Sequence, residues 1–135
     1  MVYVTRVVHF SAAHRLFNPS YSEEKNEEVF GVCNNPLGHG HNYRLEVTVR
    51  GHVSPETGMV IDLKKLKDIL EREIVQKVDH KHLNYDVDFL RDVIPTAENL
   101  VLKFWEILED KISEGELYEI RLYESDNNFV TYRGE

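Results

Sequence analysis

The stretch Cys33-Asn34-Asn35-Pro36-Leu37-Gly38-His39-Gly40-His41-Asn42-Tyr43 places the only cysteine of the chain six residues ahead of two histidines that flank a single glycine. In extended backbone, residues two apart share a face, so the imidazoles of His39 and His41 can reach one metal ion. Zinc takes histidine nitrogen in near-tetrahedral geometry and needs a further donor. His14 is the candidate. It ends Phe10-Ser11-Ala12-Ala13-His14-Arg15, and an antiparallel neighbour would bring it to the start of the strand that carries His39 and His41. Three neutral imidazoles leave zinc its full double charge and one open coordination position, the pattern of a catalytic rather than a structural site. The competing account is a glycine-rich turn with incidental histidines.

Cys33 is open to three readings. It is a fourth metal ligand closing a structural site, a free thiol acting as base or nucleophile, or a small buried hydrophobe, as most free cysteines are. Its polar loop surroundings argue against the third. Asp79-His80 is the proton-handling candidate, because an aspartate orients an imidazole and stabilises its charged form. Neighbours in a strand point to opposite faces, so this pairing requires a turn or a helix end, and a plain helix boundary accounts for the two residues equally well. Of the remaining histidines, His9 and His52 read as structural or solvated.

These residues need elements to hold them. Val2 to Phe10, rich in β-branched and aromatic residues, predicts a strand continuing towards His14. Residues 18–38, dense in Asn, Pro, Ser, Glu and Gly, predict a long functional loop that carries Cys33. From Tyr43 to Val53, Tyr43, Leu45, Val47 and Val49 alternate with Arg44, Glu46, Thr48 and Arg50, which predicts a half-buried antiparallel strand. Asp62 is placed to cap a helix whose apolar stripe is Leu63, Leu66, Ile69, Leu70 and Ile74. Pro95-Thr96 starts a second helix with Leu100, Phe104, Ile107, Leu108 and Ile112 as its stripe. Leu117–Tyr123 and Phe129–Tyr132 then read as a hairpin joined through Ser125-Asp126-Asn127-Asn128. The order β-β-α-α-β-β predicts one α+β domain over residues 1–135, a four-stranded antiparallel sheet with two helices on one face. The two open edges of such a sheet suggest an oligomer.

Composition narrows the partners. The 135 residues carry 16 basic and 24 acidic side chains, a net charge of −8, so neither nucleic acid nor an anionic membrane is an expected partner. One cysteine excludes an internal disulfide framework and fits a reducing compartment, and no apolar run approaches the ~18 residues of a membrane span. The expected location is the cytoplasm.

Five motifs, in order, carry a family resemblance. Phe10 to Leu16, Cys33 to Tyr43, Asp79-His80-Lys81-His82-Leu83, Pro95-Thr96-Ala97-Glu98-Asn99 and Tyr123-Glu124-Ser125-Asp126-Asn127-Asn128 together resemble the 6-pyruvoyl tetrahydropterin synthase family, over essentially the whole chain. The resemblance implies the T-fold (tunnelling fold), in which three four-stranded sheets close a barrel in a trimer and two trimers stack into a homohexamer. It implies conversion of 7,8-dihydroneopterin triphosphate to 6-pyruvoyl tetrahydropterin with loss of triphosphate, a lyase step of tetrahydrobiopterin biosynthesis. Carried over by position, it makes His14, His39 and His41 ligands of one zinc ion per subunit. It makes Cys33 the base and Asp79 with His80 the proton relay. Glu124 becomes the pterin anchor, with Thr96 and Glu98 adding contacts unless they serve only the helix start.

In the family the site lies between subunits, so Cys33 and Asp79-His80 need not come from one chain. Arg15, Lys25 and Lys81 are candidates for the triphosphate, or solvated charges. The sister enzyme, 6-carboxytetrahydropterin synthase of queuosine biosynthesis, shares fold, zinc ligands and substrate but has three residues between the cysteine and His-Gly-His. The five here, Asn34 to Gly38, favour the pyruvoyl branch, whereas Leu83-Asn84 is a feature of the carboxy branch. A zinc-stabilised pterin-binding protein without turnover is the non-enzymatic alternative.

Overall fold

In the computed structural model, which describes all 135 residues, two 13-residue strands form the frame. β1 (Val2–His14) and β2 (His39–Gly51) pair antiparallel along their whole length, from Val2 opposite Gly51 to His14 opposite His39. The helical segments follow: α1 (Glu23–Phe30), α2 (Leu63–Leu70), α3 (Gln76–Val78) and α4 (Ala97–Leu108). A π-helical turn over Glu71–Val75 joins α2 to α3. The sheet is completed by β3 (Lys81–His82), β4 (Glu116–Ser125) and β5 (Asn128–Tyr132), in the spatial order β3-β1-β2-β4-β5.

The core forms where the alternation in the strands meets the stripes of the helices. Val8, Phe10, Tyr43, Leu45, Val47, Ile120 and Leu122 bury one face of the sheet. Leu66, Leu70 and Ile74, then Leu100, Phe104 and Leu108, supply the opposing layer, each fully buried. Burial of such a side chain contributes about 1.5–3 kcal/mol. The Asp62 carboxylate accepts from Lys64 N at 2.9 Å, and Thr96 Oγ1 accepts from Asn99 N at 3.2 Å, so both helices start at the expected caps. Leu63 is exposed rather than packed, and Ile107 is only partly buried.

Two expectations need correction. The sheet has five strands, not four, because Lys81 and His82 add a two-residue parallel strand beside Ala12 and Ala13. A two-residue strand is too short to show an alternation. The stretch 18–38 is not wholly loop. It contains α1, capped by Ser22 and ended by Gly31 at φ +56°, and a 3₁₀ turn over Gly31–Asn34. α1 has no apolar stripe to reveal it. A polar contact holds it instead: buried Asn26 exchanges hydrogen bonds with Asn18, accepting from its N–H at 2.8 Å and donating to its carbonyl at 3.0 Å.

The other face of the sheet has no helix over it. There Arg44 lies 3.9 Å over the Tyr123 ring, which stacks on Phe129 at 4.5 Å. Glu119 is held by Arg121 and Arg133, each at 2.9 Å. No helix is long and apolar enough to cross a membrane.

Candidate active site

The register of β1 and β2 builds the metal group. With His14 opposite His39 and Ala12 opposite His41, three imidazoles converge where the strand pair ends. Their ring centroids are 4.8, 5.1 and 4.8 Å apart and their planes cross at 73–89°. One nitrogen from each lies within 4.8 Å of the others. Cys33 does not belong to this group.

The donor set suits a divalent metal. His14, fully buried, donates its Nδ1–H to the Pro95 carbonyl at 2.8 Å, which leaves the Nε2 lone pair bare. Nε2 of His14 and Nε2 of His41 are both buried without a hydrogen-bond partner. Glu124 Oε1 comes within 3.1 Å of His41 Nε2 but not in hydrogen-bonding geometry. Each buried polar atom left in this way costs about 1–3 kcal/mol, which a bound cation offsets. Burial is the main force lowering the pKa of His14, against the Pro95 hydrogen bond and the Glu124 charge, and of His41, against the Glu124 charge. Both are therefore held neutral, as ligands must be. The hydroxyl of buried Tyr43 lies 3.4 Å from His14 Nδ1, and burial, then Glu124, raises its pKa far above the ordinary phenol value.

Gly38 permits this convergence. Its φ is +79°, and a Cβ there would stand 2.9 Å from the His14 carbonyl oxygen and 2.9 Å from His82 Nε2. Gly38→Ala is expected to cost about 1–3 kcal/mol from the backbone conformation alone. It should also lower metal affinity by displacing His39, and a thermal melt paired with metal analysis checks both effects.

Asp79 and His80 do pair. His80 adopts φ 60°, a left-handed conformation rare for non-glycine residues, and this swings its ring back so that Nδ1 lies 3.0 Å from Asp79 Oδ2. Asp79 Oδ1 accepts from Ser11 N at 2.9 Å, and His80 N donates to the Ser11 carbonyl at 2.6 Å. The Ser11 N–H is the chief cause of the depressed Asp79 pKa, with the His80 bond adding to it. His80 itself is largely exposed. An open groove of about 430 Å³ is lined by Ser11, His41, Asn42, His80, Lys81 and His82, so it touches one member of the three-histidine group and His80 of the pair.

The remaining expected residues fall at different distances from this centre. Glu124 sits at a break in the register between β4 and β5, and such bulges re-aim side chains. Its carboxylate is thereby brought beside His41. Cys33 is half-buried, and its carbonyl accepts from Leu16 N at 2.8 Å, which ties its loop back to the strand end that carries His14. Thr96 caps α4, and Glu98 is exposed in the first turn of that helix. His9 and His52 are exposed and outside the metal group.

Residues 3–135 match the family described as 6-pyruvoyl tetrahydropterin synthase. The chain belongs to that family. A 6-pyruvoyl tetrahydrobiopterin synthase of Poecilia reticulata is 50% identical over 133 residues, 98% of this chain and 90% of that protein. The structure of the Caenorhabditis elegans 6-pyruvoyl tetrahydropterin synthase superposes with a TM-score of 0.93 at 42% identity, covering 99% of this chain and 96% of that one. A 6-carboxy-5,6,7,8-tetrahydropterin synthase of Rickettsia bellii is more distant, at 29% identity over 96% of this chain and 99% of that protein.

Several members of the site lie beyond sequence reasoning. The Pro95 carbonyl acts from 81 residues away as a backbone atom, so no residue type announces it. Tyr43 reads from its position only as a core residue, although it shares the face of His39 and His41, the one available signal. Gly38 reads as loop filler until its φ is seen. The Arg15 guanidinium is engaged by Asn34 through Nε and Nη2.

Proposed function

We propose that this chain is a zinc-dependent enzyme that converts 7,8-dihydroneopterin triphosphate to 6-pyruvoyl tetrahydropterin with elimination of triphosphate, the tetrahydrobiopterin-forming reaction. The observation that carries the reading is the three-histidine group with a tautomer fixed by Pro95, in a chain 50% identical to a protein of that name. His14, His39 and His41 would hold the zinc. When bound, the ion supplies Lewis acidity towards the hydroxyl oxygens of the substrate side chain, making the adjacent C–H protons easier to remove.

The chain's own residues handle the protons and the ring. Cys33, outside the metal group, is free to act as the base that removes a side-chain proton. Asp79 keeps His80 oriented through the 3.0 Å contact, so that the pair can accept and return protons. Glu124 accepts the parallel N–H donors of the pterin edge, a two-point match that a carboxylate makes well. Thr96 and Glu98 lie at the start of α4 and would add contacts to the ring. The open edge of β5 and the helix-free face of the sheet support assembly into trimers that close a barrel, and of two trimers into a hexamer. A cytoplasmic location is consistent with the single free cysteine.

The higher identity to the pyruvoyl-named relative favours that product over the 6-carboxytetrahydropterin of the sister enzyme. Metal dependence tests the reading: chelator-treated protein should lose conversion of dihydroneopterin triphosphate and regain it on addition of zinc. Activity that persists in metal-free protein would contradict it. Glu124→Ala is expected to weaken pterin binding by about 10-fold or more, as the loss of a charge-assisted pair, with zinc content unchanged. Titration with dihydroneopterin, which lacks the phosphates, measures this directly.

A further inference from the structure

Cys33 lies within a single four-residue 3₁₀ turn, Gly31–Asn34, with no strand or longer helix to fix it, yet a base must be held in register with its substrate. The structure assigns that task to Arg15 and Asn84, as positioning residues for the Cys33 loop; the kinetic part of this assignment rests on the reading of Cys33 as the base. The Arg15 side chain donates from Nε to the Asn34 carbonyl and from Nη2 to Asn34 Oδ1, both at 3.0 Å. The next residue, Leu16, donates its N–H to the Cys33 carbonyl at 2.8 Å. Two successive carbonyls beside the thiol are thus gripped by two successive residues that directly follow His14.

Arg15 is itself fixed by Asn84. The Asn84 side chain accepts from Arg15 N at 2.8 Å and donates from Nδ2 to the Arg15 carbonyl at 2.8 Å, pairing with that backbone as a neighbouring strand would. Asn84 N donates to His82 Nδ1 at 3.3 Å, linking the clamp to β3. The guanidinium also lies 4.3 Å over the Phe17 ring, which limits its freedom to swing out. One connected set of bonds therefore spans from β3, through the residue after the metal ligand, to the residue after the thiol. A guanidinium makes this two-point contact and an ammonium cannot reproduce its planar fork. An aspartate at position 84 would keep the acceptor, lose the donor and face the Arg15 carbonyl with a negative charge.

The test uses Arg15→Lys and Asn84→Asp in the zinc-loaded protein. Cys33 is the only thiol, so alkylation by iodoacetamide reports on it alone. Both variants should label at least threefold faster than the parent chain, with zinc content unchanged. In turnover of dihydroneopterin triphosphate, kcat should fall by about 10–100-fold, the scale expected for a misplaced catalytic group, while KM stays within threefold. Labelling less than threefold faster overturns the assignment for that residue. So does a KM rise of tenfold or more at unchanged kcat, which would make Arg15 a phosphate contact. If Arg15→Lys fails to fold, Asn84→Asp and Asn34→Ala carry the same labelling criterion. Because labelling needs no turnover, a parent chain inactive on the pterin would sink the functional reading and leave this test standing.

Discussion

Cys33→Ala is expected to lower turnover of dihydroneopterin triphosphate by about 10³-fold or more, within the range lost when a general base is removed. The variant should keep its zinc, because the metal group consists of His14, His39 and His41 without the thiol. It should also still bind the pterin, because the carboxylate assigned to the ring is Glu124 on β4. Cys33 is half-buried and its loop is held through backbone atoms, so the substitution leaves no large cavity and spares the clamp. Metal analysis and single-turnover kinetics on one preparation separate the possible roles. Loss of zinc together with activity would make Cys33 a ligand and return the site to a structural one.

His39→Ala is expected to have the second large effect, reducing bound metal to a small fraction of the parent chain's and eliminating measurable turnover. His39 is the better choice than His14, which is fully buried and bonded to Pro95, so that its removal would disturb the core as well. The same site predicts a pH dependence. Burial sets the pKa of His14 and His41 below the ordinary 6.5, so around that pH the unfolded chain binds more protons than the folded one. Metal-free protein should therefore gain stability as pH rises to about 6.5 and lose it progressively as pH falls from there towards the depressed folded values. Protons compete with zinc for the same nitrogens, so metal release should also begin on the acid side. Thermal melts of apo and zinc-loaded protein between pH 5 and 8 check the sign; apo stability that increases on acidification would contradict the neutral-imidazole centre.

The parts of the site that were legible from residues alone share one property: side-chain type at strand spacing. The two-residue repeat of His39 and His41, and the antiparallel placement of His14 at the matching end of β1, follow from strand geometry, and the observed register sets His14 opposite His39. The helix caps Asp62 and Thr96 were legible for the same reason, since a short polar side chain before an apolar stripe has one good use. What escaped has no such code. α1 is polar up to its last two residues, Val29 and Phe30, and is fixed by the Asn18–Asn26 pair, so periodicity cannot reveal it. β3 is two residues long. His80 pairs with Asp79 only because its backbone turns left-handed, a state the sequence does not specify for histidine. Pro95 and Ser11 act through backbone atoms, and Gly38 acts by what it lacks. Sequence reasoning therefore named the side chains that cluster, and the structure added the backbone atoms that hold them.

The reaction proposed for this three-histidine centre is the one that yields the pyruvoyl product. The most direct measurement is product identification after incubating the zinc-loaded protein with 7,8-dihydroneopterin triphosphate, with the pterin resolved by mass and the released fragments assayed. The expected result is 6-pyruvoyl tetrahydropterin with stoichiometric inorganic triphosphate and no acetaldehyde. A 6-carboxytetrahydropterin product accompanied by acetaldehyde, or recovery of unchanged substrate, would contradict it.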